Sequence, residues 1–550
     1  MVANPRESDG DRTRLILAGM IAALCAFAWL SRWVQDDAYI TFRYSSNLVS
    51  GLGPVWNRGY AVEGYTNFSW MILVAALMRL GVSAETASAV LGVPCLAGSL
   101  FFVYRLARAL LPDERWALLA TFAVGTNYSF LMYATGGLET QLQALLALGT
   151  LSLTVDAMTR EDDLGWLAAG VSGFVALALM TRPDAVVLGA VAFAFVGLSI
   201  VRVARTQPAP AATIGRGLAG LFLPVALIIV PWLVWKLSFY GRILPNTYYV
   251  KLGVHRPLTF VRGVIYVAWP FLTFWWLPVW GYILWKYRKI PGHNFFISPP
   301  IQPLVAYAVL WVSYAIWTGG DIMEFRQLVS VIPVLLLLLL RALAAVTKSI
   351  RTIAAVVAFL FCGSIMHGLF FPRYVTPEGI NSIPVLAEVG GDPGENWVAM
   401  GKTLHELFGS ESRVTIAVSP AGAIPYYSAL RTIDVLGLND LEVPKQGLVR
   451  VNCRICTAHP RVATINYLNQ MGTNLLIAHP QLLRPGEKPP TVEDVLKRMY
   501  YLEEIDREHL PKTARLVGIA LPSGSKLLAV YLNPTPEVDA LIERGQLHVF

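Results

Sequence analysis

The sequence predicts a polytopic α-helical membrane protein followed by a soluble α/β domain, and three observations carry that reading. Of its 550 residues 55% are hydrophobic and only 15% charged, and the apolar residues fall in long runs, not at the spacing of a soluble core. Beyond Pro372 the composition changes to short β-branched runs alternating with amphipathic stretches. The net charge of +8 is dispersed in small Lys and Arg clusters between apolar runs. Such clusters set membrane orientation and do not form the single basic face that nucleic acid requires.

From the N-terminus, spans are expected near residues 13–33, 84–104, 116–134, 139–157, 164–180, 184–201, 217–238, 262–285, 303–318, 327–345 and 350–371, about eleven in all, several short enough to be tilted or sheltered by neighbours. Residues 15–30 follow Arg12 and Arg14 as a secretory signal would, but no small-residue cleavage site comes after them, so they are read as an uncleaved first helix. Residues 68–80 are apolar yet shorter than the roughly 17 to 25 residues a crossing needs. If they lie along the interface, Arg105, Arg108 and Arg115 join Arg12, Arg14, Arg160, Arg202, Arg216, Lys286, Arg288 and Arg351 on one side. That arrangement puts the N-terminus in the cytoplasm, with a membrane domain over 1–372, a large outer loop over 34–83 and an extracytoplasmic, periplasmic α/β domain over 373–550.

In the C-terminal part a helix is expected over 396–407 and strands over 414–418, 432–436, 474–478, 516–521 and 527–531, with residues 522–525 turning the last two into a hairpin. Gly422 after the first strand lacks the partners of a dinucleotide fingerprint. Cys453 and Cys456 form a lone CxxC without a second metal-ligand pair, which favours a local disulfide over zinc. The acids of this domain are scattered, so it is expected to assist acceptor recognition and not to hold the chemistry.

The orientation gathers nearly every unusual polar residue near the membrane onto the outer face. Asp36 and Asp37 stand side by side where the chain leaves the first span, and two carboxylates at a membrane surface need a partner or a task. The plain alternative is a pair that caps an interfacial helix and faces water. With them fall Gly137-Leu138-Glu139-Thr140, Thr181-Arg182-Pro183-Asp184, Pro245-Asn246-Thr247-Tyr248-Tyr249 and Gly319-Gly320-Asp321. A cavity lined by acids, arginines and tyrosines and opening outward is the simplest consequence.

With Gly53-Pro54-Val55-Trp56-Asn57 and Val62-Glu63-Gly64-Tyr65-Thr66-Asn67 added, these motifs resemble the GT-C membrane glycosyltransferases, which use polyprenyl-phosphate sugars. The closer resemblance is to the branch containing the terminal arabinofuranosyltransferases of actinobacterial cell-wall assembly. It implies transfer of a sugar, arabinofuranose, from a polyprenyl-phosphate donor to a glycan, glycolipid or protein acceptor at the bacterial inner (plasma) membrane. Because a lipid phosphate leaves without strong acid help, one base is enough: Asp36 or Asp37, of which Asp36 is favoured as the first residue clear of the helix and the match to the first acid of the family's pair. Arg182 and Arg326 would clamp the phosphate, followed by Lys251 and Arg43, since guanidinium binds phosphate through two nitrogens. Internal ion pairs such as Arg182 with Asp184 or Arg326 with Glu324 are the competing reading of the first two. Trp56, Tyr65, Tyr248, Tyr249 and Trp317 would offer stacking faces, though aromatic belts occupy such positions in any membrane protein. Glu63, Asn67, Glu139 and Asn246 would meet sugar hydroxyls, with Asp184, Asp321 and Glu324 completing the lining. No residue set calls for a metal, and a divalent cation remains open. The other classes are a transporter, which should show internal repeats absent here, and a non-catalytic binder of lipid-linked glycans, which would not need the acidic pair.

Overall fold

A computed structural model describes residues 5–160, 164–250, 256–288, 298–370, 373–376, 379–449, 461–500 and 506–550. Among them, eight helices are long and apolar enough to cross a membrane: Asp11–Leu30, Ala84–Leu110, Thr140–Thr159, Leu164–Thr181, Pro183–Ala204, Pro210–Tyr240, Pro299–Thr318 and Ile350–Phe370. A ninth arises if Pro257–Thr273 and Trp276–Tyr287, bent 79° to each other, count as one span. The bend falls at Trp275, whose φ of 58° breaks the helical path.

Two of the eleven expected spans are therefore corrected. Residues 116–134 divide into Glu114–Gly125 and Tyr128–Met132, because the Asn127 side chain accepts the Phe130 N–H at 3.1 Å and starts a new helix. Residues 327–345 contract to the 15-residue helix Ile332–Val346, with Pro333 in its first turn. At about 1.5 Å per residue neither covers the roughly 30 Å of hydrocarbon alone. Phe68–Arg79 is a 12-residue helix, also too short to cross, packed between Asp36–Val49 and Ala84–Leu110. At the end of the bundle away from the acidic pair, Arg105 pairs with Asp156 at 2.5 Å, Arg160 approaches the same carboxylate at 3.9 Å, and Arg202 donates to the Met158 carbonyl at 2.6 Å. These basic side chains share one end, as the charge pattern requires.

The C-terminal domain is built on a mixed six-stranded sheet. Its strands are β1 (Thr415–Val418), β2 (Arg431–Asp434), β5 (Leu475–Leu483), β6 (Arg515–Ala520), β7 (Lys526–Tyr531) and β8 (Leu547–Val549), in the order β2-β1-β5-β7-β6-β8. A separate two-stranded ribbon pairs β3 (Leu448–Val449) with β4 (Arg461–Val462). β1 runs parallel to β2 and β5, while β6 and β7 form the expected antiparallel hairpin. All five expected strands are present to within a few residues, and the expected helix is Trp397–Phe408. The ribbon and β8 are too short to leave a periodic signal. The large core of the membrane half continues into this part of the chain through Ile380, Ile383 and Ala423. Lys251, Cys453 and Cys456 lie outside the described residues.

Candidate active site

Asp36 and Asp37 open the helix Asp36–Val49, where acids suit the exposed N–H groups of the first turn. One residue apart on a helix, they point in different directions. Asp36 turns to the C-terminal domain, its carboxylate accepting the N–H groups of Gly422 at 3.2 Å and Ala423 at 2.8 Å. A Cβ at Gly422 would lie 1.9 Å from the Asp36 carbonyl oxygen, so only glycine allows this approach. Burial outweighs the two N–H donors and pushes the Asp36 carboxyl up to about 7. Asp37 instead lies within electrostatic reach of Arg326.

Asp37 thereby joins a ladder of charges brought together from four segments. Glu139, buried at the start of Thr140–Thr159, places Oε1 2.8 Å from Arg182 Nη1 and accepts Asn67 Nδ2 on Oε2 at 2.8 Å. Asn67 exchanges a further hydrogen bond with Thr41 at 3.1 Å. Arg182 precedes Pro183, which holds it out of the helix, and also grips Asp184 through Nη2 at 2.8 Å and Nε at 3.1 Å. Arg326 spends Nε on Asp321 at 2.8 Å, and its charge reaches Glu139 and Arg182. Burial pushes the Glu139 carboxyl up, but Arg182, Arg326 and the Asn67 amide together bring it below the ordinary glutamate value. The side chains of Arg182 and Arg326 keep 22% and 16% exposure and Asp321 keeps 18%, so both cations are partly open to a ligand while Glu139 and Asp184 are buried.

Most of the other expected residues are fasteners. Every nitrogen of the Arg43 guanidinium is engaged: Nε by the Trp56 carbonyl at 3.0 Å, Nη1 by the Pro425 carbonyl, and Nη2 by Asn57 at 3.1 Å and the Leu430 carbonyl at 2.8 Å. It is corrected from phosphate ligand to tie between loop and C-terminal domain. Trp56 is fully buried with its Nε1 on the Thr432 carbonyl at 3.0 Å, and Tyr65 is buried against Tyr240, so neither offers a face to a sugar. Asn246 gives its amide to the carbonyls of Gly437, Leu438 and Asp440. Glu63 meets Lys236 at 2.9 Å, and Glu324 is buried on His367 at 2.6 Å, not on Arg326. Tyr248 and Trp317 are exposed and Tyr249 carries Arg242 over its ring.

Several participants were not singled out in the sequence. Lys236 is a lone cation inside an apolar run, which is itself a signal. His367, an ionisable side chain inside the apolar helix Ile350–Phe370, carries the same signal, whereas Tyr314, within reach of Asp184, gives none by pattern. Among the described residues no three His, Cys, Asp or Glu side chains are placed to hold a metal, and the ladder's acids are matched by arginines. A cleft of about 430 Å³ lined by Gln481, Glu487, Asp494 and Arg498 belongs to the C-terminal domain and holds none of these residues.

Helices converging through loops on one charged end, with a mixed α/β domain seated there, define the fold of the GT-C membrane glycosyltransferases. The solved structure of ArnT from Cupriavidus metallidurans bound to undecaprenyl phosphate matches with a TM-score of 0.55 at 10% identity, over 94% of this chain and 97% of that one. Its apo state matches at 0.52 and 12% identity, over 93% and 97%. In sequence the chain is arabinofuranosyltransferase-like. It is 28% identical over 362 residues to the terminal β-(1→2)-arabinofuranosyltransferase of Mycobacterium tuberculosis, covering 56% of this chain and 54% of that protein. With the enzyme of the same description from Corynebacterium glutamicum it shares 27% over 384 residues, covering 60% and 52%. The chain spans about half the length of these curated relatives. Residues 388–531 match a family described as a domain of unknown function (DUF8728).

Proposed function

We propose that the protein is an integral-membrane glycosyltransferase that moves a sugar, arabinofuranose, from a polyprenyl-phosphate donor to a cell-envelope glycan, glycolipid or protein acceptor. It works on the outer face of the bacterial inner membrane, with the N-terminus cytoplasmic and the C-terminal domain periplasmic. The observation that carries this reading is the convergence of the partly open Arg182 and Arg326 with Asp37 and Glu139 at one end of the bundle. The undecaprenyl phosphate held by a protein of the same fold supports a lipid-phosphate donor, and the arabinofuranosyltransferase relatives support the sugar.

Asp37 takes the proton of the acceptor hydroxyl as that oxygen forms the new bond to the sugar's anomeric carbon. The bond from that carbon to the phosphate oxygen breaks, and the electron pair leaves with the lipid phosphate. Arg182 and Arg326 stabilise the charge that develops there, their orientation already set by Asp184, Glu139 and Asp321. Asp36, committed to two backbone donors, fixes the helix that carries Asp37.

The test is transfer by the purified chain in lipid vesicles from polyprenyl-phosphate sugars of several kinds. Arabinofuranose transfer that is lost in Asp37→Asn while undecaprenyl phosphate still binds supports the whole reading. Transfer of a different sugar removes the arabinose assignment and leaves the class standing. Transfer from none of the donors by a folded chain overturns the class.

A further inference from the structure

Arg326 sits on a short segment whose geometry is unusual for what it carries. The residue before it, Phe325, has a φ of 50° in the left-handed region, where a bulky side chain is disfavoured. Its ring is fully buried among Tyr266, Phe274 and His367, at centroid distances of 6.1, 5.7 and 6.4 Å. A strained backbone persists only where the surroundings over-determine it.

The surroundings do so from two sides. On one side, the helix Arg256–Thr273 supplies Arg262, whose guanidinium donates to the carbonyls of Gly319 and, at 2.7 Å, Asp321. One turn on, the Tyr266 hydroxyl donates to the Met323 carbonyl at 3.1 Å and accepts the Gln327 N–H at 3.2 Å, bracketing Arg326. On the other side, Glu324 is fully buried. Its Oε1 is 2.6 Å from His367 Nε2 at the end of the last long helix, and its Oε2 accepts the Ile383 N–H at 2.9 Å. Its own N–H donates to the Asn381 carbonyl at 3.0 Å. A buried carboxylate with these partners is costly to dismantle and holds its backbone to one place.

We propose that Glu324, His367 and Tyr266 are positioning residues that aim Arg326 at the lipid phosphate. The inference rests on the reading of Arg326 as a phosphate ligand given above. These residues touch no substrate and act through Arg326 alone, so their loss should weaken donor binding without compounding the loss of Arg326 itself. Misplacing a reactive contact by about 1 Å costs on the order of 100-fold in rate, and a loosened Arg326 should cost at least ten-fold in donor affinity, a factor that corresponds to about 1.4 kcal/mol.

The experiment measures undecaprenyl phosphate binding to the full chain in detergent. The variants are Arg326→Ala, Glu324→Gln, His367→Gln, Tyr266→Phe, and the doubles of Arg326→Ala with each of the last three. We expect Glu324→Gln and Tyr266→Phe to weaken binding about ten-fold, His367→Gln to stay near wild type because its amide can still donate to Glu324, and each double to bind no worse than Arg326→Ala alone, since residues acting through one contact are not additive. Normal affinity in Glu324→Gln and Tyr266→Phe, or doubles whose losses add, would overturn the inference. If Glu324→Gln fails to fold, Tyr266→Phe, which removes one hydroxyl, decides by the same criterion. Unchanged affinity in Arg326→Ala would instead strike down the phosphate role of Arg326, a result separate from either outcome for the brace.

Discussion

Asp36 and Asp37 are neighbours in sequence, yet they belong to two differently built regions. Asp36, Arg43, Trp56, Asn57 and Asn246 form a seam whose partners are almost all backbone groups of the C-terminal domain. Asp37, Glu139, Arg182 and Arg326 form a ladder whose partners are each other's charges. A seam of neutral carbonyl and N–H contacts is stable only when closed, and a ligand has nothing to replace in it. A ladder of paired charges with partly exposed cations can share those cations with an incoming phosphate. Charged residues at a membrane boundary are thus not one class, and partner type separates them better than burial.

The sharpest way to break this comparison is to neutralise the two acids separately. Asp37→Asn should lower transfer by about 100-fold to 10,000-fold, the usual cost of losing a general base, with little change in lipid-phosphate affinity. Asp36→Asn should cost far less, because an amide oxygen can still accept from Ala423. If rates measured in vesicles show the reverse order, the base belongs to the seam.

Arg182→Ala addresses the ladder's stability. It leaves Glu139 and Asp184 short of their closest cation, and removing one partner of a buried pair costs about 3–5 kcal/mol. Thermal unfolding in detergent should show a clear drop in Tm, and Arg182→Lys should recover only part of it, since a lysine has no planar fork to meet Asp184 through two nitrogens and Glu139 through a third. A Tm equal to wild type would mean the ladder contributes no stability.

Gly422→Ala tests the seam. The added methyl must displace the Asp36 carbonyl, an overpacking of about 1–3 kcal/mol, and should loosen the C-terminal domain so that limited proteolysis releases it faster. Donor binding, which we assign to the ladder, should persist. Unaltered proteolysis would show that the contact tolerates a shift and is not a tight seam.

The smallest expected effect is in pH dependence. Burial raises Asp36 from 3.8 to about 7, so the folded chain keeps this proton over a range in which the unfolded chain has lost it. Stability from this group is therefore complete below 3.8 and falls as pH rises through about 7. Asp36→Asn, which cannot ionise, should flatten that portion of the Tm-against-pH curve, and a curve parallel to wild type would exclude Asp36 as its source.

By itself the sequence determined the class of molecule, because hydrocarbon and water sort long apolar runs without reference to partners. Length also kept Phe68–Arg79 from being a span, and five strands of the sheet showed in local β-branched runs. Of the residues the motifs singled out, Glu139, Arg182, Asp321 and Arg326 come together in the fold. Only the tertiary structure decided what each side chain does there. Arg43 and Arg326 carry the same guanidinium at the same membrane boundary, and no local pattern says that one meets carbonyls 382 and 387 positions away while the other meets a carboxylate five positions away. Likewise Glu324 is joined to His367, not to the arginine two residues along, because Phe325 turns the chain between them. Hydropathy is a sum over neighbours in sequence and survives without a fold, whereas a hydrogen bond is a relation between two atoms that only the fold brings within reach.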